Sequence, residues 1–144
     1  VEEAVIVLEK QVRTGMIEQL VDEKIVDANN KMDSTKDTIR KAITYIDQHL
    51  KDELSLKDVA AHVHLNPSYF SVLFKEQVNL NFSEYVTRRR IQRAKELVIS
   101  TNLPIGEIAE EAGYKTAKYF IKIFRELEGM TPSAYRKTNN ERAF

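Results

Sequence analysis

The sequence predicts an all-α protein in which two helix-turn-helix subdomains are joined by a long connecting helix and preceded by an N-terminal helical linker. Three observations predict it. Only 4 glycines and 3 prolines punctuate the 144 residues. Apolar residues recur at helical spacing, and no stretch alternates cleanly as a half-buried strand would. A pattern about 50 residues long occurs twice.

Taken from the start, residues 1–33 place Val1, Val5, Leu8 and Val12 at 4-3-4 spacing before Gly15 interrupts, and Met16, Ile17, Leu20, Val21 and Ile25 resume an apolar stripe. This reads either as a short coiled coil pairing two chains into a homodimer or as a linker helix folding back on its own body. The polar run Asn29-Asn30 to Asp33 reads as a hinge. The chain opens on Val1 and is patterned from that residue, so it reads as a piece of something longer.

The next helices are placed near 35–51, 56–63, 66–78, 82–100, 104–112, 116–128 and 132–137, each with a start signal where one is visible. Ser34 with Asp37, Ser55 with Asp58 and Asn81 with Glu84 are capping pairs three residues apart. Asn66-Pro67 and Thr131-Pro132 set a cap residue before a first-turn proline. The expected organisation is therefore a linker or dimerisation segment at 1–33, a domain at 34–137 with units at about 38–80 and 101–137, and a tail at 138–144.

The repeat decides the architecture. The first copy reads Val59-Ala60-x-x-Val63-x-Leu65, Phe70-x-x-Leu73-Phe74-Lys75, Leu80-x-x-Ser83-x-Tyr85. The second reads Ile108-Ala109-x-x-Ala112-Gly113-Tyr114, Phe120-x-x-Ile123-Phe124-Arg125, Met130-x-x-Ser133-x-Tyr135, with one extra residue between Tyr114 and Phe120. In each copy the alanine lets two helices cross closely, and a turn of three or four residues joins them. Gly113 stands where that turn needs a left-handed residue; His64 holds the matching place, and histidine tolerates that conformation better than most. Phe70, Leu73 and Phe74, like Phe120, Ile123 and Phe124, follow i, i+3, i+4 spacing and are core.

If one face of each second helix is buried, the other is presented. The presented residues of the first are Asn66, Pro67, Ser68, Tyr69, Ser71, Val72 and Lys75. Those of the second are Thr116, Ala117, Lys118, Ile121, Lys122 and Arg125. Helices of this kind set such N-terminal residues against base edges in a major groove. The connecting helix, residues 82–100, would be roughly 28 Å long at 1.5 Å per residue, against about 34 Å between successive groove faces.

At this length and order of motifs the chain resembles the AraC/XylS family of bacterial transcription regulators. The resemblance covers about residues 38–137. It includes Arg90-Ile91-x-x-Ala94-x-x-Leu97, Ile105-x-x-Ile108-Ala109-x-x-Ala112-Gly113-Tyr114, Tyr119-Phe120-x-x-Ile123-Phe124 and Gly129-Met130-Thr131-Pro132-Ser133-x-Tyr135-Arg136. It implies sequence-specific binding of double-stranded promoter DNA by two helices in adjacent major-groove segments, with RNA polymerase as a further partner. The segment Asn66-Pro67-Ser68-Tyr69-Phe70-Ser71 looks most like the branch attached to two-component receiver domains. Two positions depart from the family: Val72 stands where a base is frequent, and Ile121 where a small hydroxyl is. Their methyls suit thymine C5-methyl groups, and the second unit, with Lys118 and Lys122, is expected to read bases more directly. The opposing reading has Ile121 packing sideways and both lysines on phosphate.

Charge supports an anion-seeking body. Residues 1–33 hold eight acids and four bases, whereas the rest hold 18 bases and 14 acids, so a net charge of zero conceals a split of −4 and +4. Lys115–Arg125 contains four bases and no acid, which argues against the rival reading, a helical protein-interaction module that has lost DNA binding. Arg88, Arg89 and Arg90 run around the connecting helix: Arg88 and Arg89 are candidates for phosphate, Arg90 for a structural ion pair with its stem between the units.

Other functions find little to stand on. There is no cysteine, so disulfides, thiolate zinc sites and cysteine nucleophiles are excluded. His62 and His64 point to different faces, and His49 is isolated, so neither a metal nor a cofactor is expected. No phosphate-cradling loop or nucleophile motif is present, so the chain is not expected to be an enzyme. The apolar runs are too short to span a membrane, and the expected location is the cytoplasm.

Overall fold

A computed structural model describes residues 34–142, the side chain of Arg142 excepted. The segment 1–33, with its coiled-coil or linker reading, lies outside the described residues, as does the end of the tail. Contacts divide the chain into the units Val1–Thr38 and Ile39–Phe144.

Seven helices and no strand occur among the described residues. They are α1 (34–48), α2 (Leu56–His62), α3 (Pro67–Val78), α4 (Phe82–Ser100), α5 (Ile105–Glu111), α6 (Ala117–Glu128) and α7 (Pro132–Arg142). Five of the starts carry a side-chain cap. Ser55 Oγ accepts from Asp58 N at 3.0 Å, Asn66 Oδ1 from Ser68 N at 2.8 Å, Thr116 Oγ1 from Tyr119 N at 3.2 Å and Thr131 Oγ1 from Ala134 N at 3.2 Å. At Asn81 the box is reciprocal: its Oδ1 accepts from Glu84 N, and its Nδ2 donates to Glu84 Oε1. Each bond from a backbone N satisfies an amide that the first turn leaves without a helical partner, and the Asn81–Glu84 side-chain bond holds its cap in place. Ser34, by contrast, is already helical, and its carbonyl accepts from Thr38 Oγ1.

Two ends differ from expectation. The first helix stops at 48 rather than 51, closing through His49 N to Ile46 O at 3.0 Å. The carbonyls beyond it are taken by a side chain: Arg90 donates from Nε to Leu50 O at 3.0 Å and from Nη2 to Asp52 O at 2.8 Å. The last helix continues to Arg142, past the expected end at 137, so residues 138–142 are helix and not tail. No glycine or proline interrupts it there, and Asn139 Nδ2 bonds back to Tyr135 O at 2.8 Å.

The helices close around two cores. Ile39, Ala42, Ile46 and Leu50 line one face of α1 and its end; with Val59, Ala60, Phe70, Leu73, Phe74, Phe82 and Val86 they form the first. The second takes Ile91, Ala94, Val98, Ile108, Ala109, Ala112, Phe120 and Phe124. The helix α4 therefore gives Phe82 and Val86 to one core and Ile91, Ala94 and Val98 to the other. It is a wall of both cores as well as a spacer.

The repeat survives in atomic detail. Phe74 meets Tyr85 edge-on at 5.4 Å and Phe124 meets Tyr135 at 5.6 Å. Ala60 and Ala109 are buried at the helix crossings. Both first helices end in the same two-bond cap, with Leu65 N on Ala60 O and Tyr114 N on Ala109 O at 2.9 Å each. The left-handed residues are His64 (φ 60°) and Gly113 (φ 94°), and a second matched pair, Asn79 (φ 65°) and Gly129 (φ 79°), ends α3 and α6. At the foot of the second unit Arg136 donates to Val98 O, Leu103 O and Thr101 O at 2.9–3.2 Å, holding the carbonyls where α4 ends.

Candidate nucleic-acid interface

The helices α3 and α6 are amphipathic by the repeat. Phe70, Leu73 and Phe74 anchor α3, and Phe120 and Phe124 anchor α6. Opposite that stripe on α3 stand Ser68, Tyr69, Val72 and Lys75, with Asn66 exposed at the cap and Pro67 and Ser71 half-buried. Val72 is 58% exposed, so an isopropyl group projects from the middle of this face.

The face of α6 is built differently. Thr116, Lys118, Lys122 and Arg125 are exposed, but Ala117 and Ile121 are half-buried and pack against the second core. For Ala117 this departs from the presented face the spacing predicts; for Ile121 it matches the opposing reading of sideways packing. A small alanine and a branched isoleucine flank the phenylalanine stripe, and the helix settles onto that side. The result is a face on which three cations surround a shallow apolar strip.

Tyr119 was missed by the residue pattern although it is the repeat mate of Tyr69. The two are 51% and 46% exposed and sit at the third residue of their helices. Shifting Tyr69 by 50 residues was the signal that finds it.

Charge pairing separates the bases into two groups. Lys75, Lys118, Lys122 and Arg125 have no acidic partner among the described residues, whereas Lys51, Arg89, Lys95 and Lys115 pair with Glu111, Asp47, Glu128 and Glu53. Arg89, a phosphate candidate, is thus held by Asp47 at 2.9 Å, and that hydrogen bond raises its pKa. Arg88 remains exposed. Arg90 is structural as expected, but its partners are the carbonyls of Leu50 and Asp52 and not an acid; its guanidinium also lies 6.0 Å from the Tyr114 ring. Burial lowers its pKa.

A cleft of about 530 Å³ opens where the first unit's α1–α2 loop meets the second unit's α5–α6 turn. Arg90, Tyr114, Lys115, Thr116 and Tyr119 line it together with Glu53. The Tyr114 hydroxyl is buried without a hydrogen-bond partner, and burial pushes its pKa up to about 12, the Arg90 charge opposing and Tyr119 adding to the shift. The backbone crowds this junction: a Cβ on Gly113 would collide with Leu50 O and lie 2.9 Å from Arg90 Nε.

His49 is not isolated. Its ring stacks on Tyr45 at 4.1 Å, with Nδ1 2.7 Å from Tyr45 O, and the Tyr45 ring also meets that of His62 at 4.2 Å. The described residues contain no cluster of three or more metal-ligating side chains, and no described helix is long and apolar enough to cross a membrane.

Two exposed, unpaired faces repeated on one framework find their match among known proteins. A family model for a helix-turn-helix domain matches residues 59–138. The chain belongs to the AraC-type helix-turn-helix family. Over 103 residues this AraC-type domain is 45% identical to the regulatory protein PocR of Salmonella typhimurium, covering 72% of the chain and 34% of that relative. The C-terminal domain of AraT, a response regulator from Geobacillus stearothermophilus, superposes with a TM-score of 0.68 at 38% identity, covering 70% of this chain and 84% of that one. The fold is also that of the DNA-binding domain of AdpA, solved with a target DNA: TM-score 0.70 at 19% identity, covering 72% and 94%. The chain spans between 16% and 44% of the length of the first curated relatives it matches. The family is one of DNA-binding regulators and not of enzymes.

Proposed function

We propose that this chain is the sequence-specific, double-stranded DNA-binding part of a bacterial transcription regulator, with α3 and α6 in adjacent major-groove segments. One observation carries this reading: two repeat-related helices bury matching phenylalanine faces and present unpaired polar and cationic ones, on either side of a shared 19-residue helix. Asn66, Pro67, Ser68, Tyr69, Ser71, Val72 and Lys75 form the first reading surface. Thr116, Ala117, Lys118, Ile121, Lys122 and Arg125 form the second, to which the exposure of Tyr119 adds a further candidate. Arg88, exposed, is retained as a phosphate contact; Arg89, half-buried as well as held by Asp47, is set behind it.

The half-buried Ile121 leaves sequence discrimination on α6 to Lys118 and Lys122. Selection of duplexes from a random pool tests the function: two enriched tracts one helical turn apart are the expected result, and no enrichment over input would end the proposal. On the selected duplex, a domain making 6–10 phosphate contacts loses about 10³–10⁵ in affinity between 50 and 200 mM salt. Lys118→Ala and Lys122→Ala should weaken that duplex more than a scrambled one; equal weakening on both would assign them to phosphate.

The rest of the regulator follows as proposals of the same kind. Likeness to a response-regulator domain supports a receiver as the input partner, with RNA polymerase as the downstream one. Such a protein works in the cytoplasm.

A further inference from the structure

Of the four bases in Lys115–Arg125, one is paired. Lys115 immediately precedes Thr116, the cap of α6, and its Nζ lies 2.5 Å from Glu53 Oε1. Glu53 comes from the other unit's α1–α2 loop, across the cleft, and both side chains are 81% exposed. The hydrogen bond between them raises the lysine pKa and lowers that of the glutamate. An ion pair so exposed contributes little to folding, because water and salt screen it and two long side chains must be held still. A DNA phosphate is a stronger competitor: it belongs to a polyanion whose counterions are released on contact. At this place it would also meet the amide-rich end of a 12-residue helix.

We infer that Lys115 is a DNA backbone-phosphate contact held in reserve, and that Glu53 competes with the duplex for it. On binding, Lys115 exchanges the Glu53 carboxylate for a phosphate beside α6. The pair thus taxes every duplex alike, loosening sequence-independent binding without touching a base. This rests on the DNA-binding reading above.

The test is a double-mutant cycle by fluorescence anisotropy on the 144-residue chain, using a pool-selected duplex and a scrambled one across a salt series. Glu53→Gln should tighten both duplexes about 3–10-fold. Lys115→Gln should weaken both and reduce the log–log salt slope by about 0.9, one phosphate's worth. Glu53→Gln added to Lys115→Gln should have little further effect. An unchanged affinity in Glu53→Gln overturns the inference, and so does an equal gain in both backgrounds, which would mark a general charge effect and no competition for Lys115. If the unaltered chain binds no duplex, the DNA-binding reading itself falls.

Discussion

Gly113 and His64 occupy the same place in the two repeats and have the same handedness, yet they answer to different constraints. His64 is exposed at φ 60°, so only its own backbone resists. Gly113 carries that conformation and also lies against Leu50 O and Arg90. Gly113→Ala should therefore cost about 2–5 kcal/mol, combining left-handed strain with overpacking, whereas His64→Gly should change stability by less than about 1 kcal/mol. Urea melts of the two variants check the contrast; a mild Gly113→Ala would mean the junction yields. The left-handed need at 113 was legible from the repeat. The closeness of Leu50 was not, because it depends on how two units meet.

Tyr114 offers a second test at this scale. Its raised pKa means the folded state holds the hydroxyl proton more tightly than the unfolded one. The associated stability is complete below the ordinary tyrosine value near 10 and is lost as pH rises from there towards about 12. Tyr114→Phe removes a buried hydroxyl with no partner and should stabilise by about 1 kcal/mol at neutral pH. It should also flatten part of the alkaline decline in thermal melts.

Among elements, the caps at Ser55, Asn66, Asn81 and Thr131 were readable from local chemistry, and all four accept first-turn amides; Ser34 lies inside its helix instead, and Thr116 caps α6 without a signal having been read there. The bounds of α4 coincide with expectation for the same reason, Asn81 before it and Thr101 after it. The far ends were less legible. The stop of α1 depends on Arg90, forty residues away, and α7 runs on because nothing in its sequence interrupts it. The interface was legible in outline but not in depth: spacing named Ala117 and Ile121 as presented, yet both are half-buried against the second core, a contact that helical spacing alone does not show. Thr116→Ala removes the bond to Tyr119 N and should cost about 1 kcal/mol. It should also weaken the selected duplex, since Lys118 and Tyr119 sit on the turn that this bond holds. Circular-dichroism melts and anisotropy measured together check both effects.

For the whole molecule, Arg90 on two carbonyls, the Lys51–Glu111 pair and Gly113 against Leu50 tie the units beside the helix they share. Two readers mounted this way should demand fixed operator spacing. One base pair inserted between the contacted tracts turns the second by about 35°, and affinity should fall at least tenfold in gel-shift titrations. Ten base pairs should not restore it, because a roughly 28 Å helix cannot stretch by another 34 Å. Recovery at ten would indicate readers on a slack tether.

The hand-over between Val86 and Ile91 carries one more consequence. A cut within α4 would deprive one unit of a wall and leave the other with a bare apolar flank. Neither half is then an independent inheritance unit: the duplication visible in the sequence has become a single object, and its two copies are free to diverge in what they read but not in whether they stay joined.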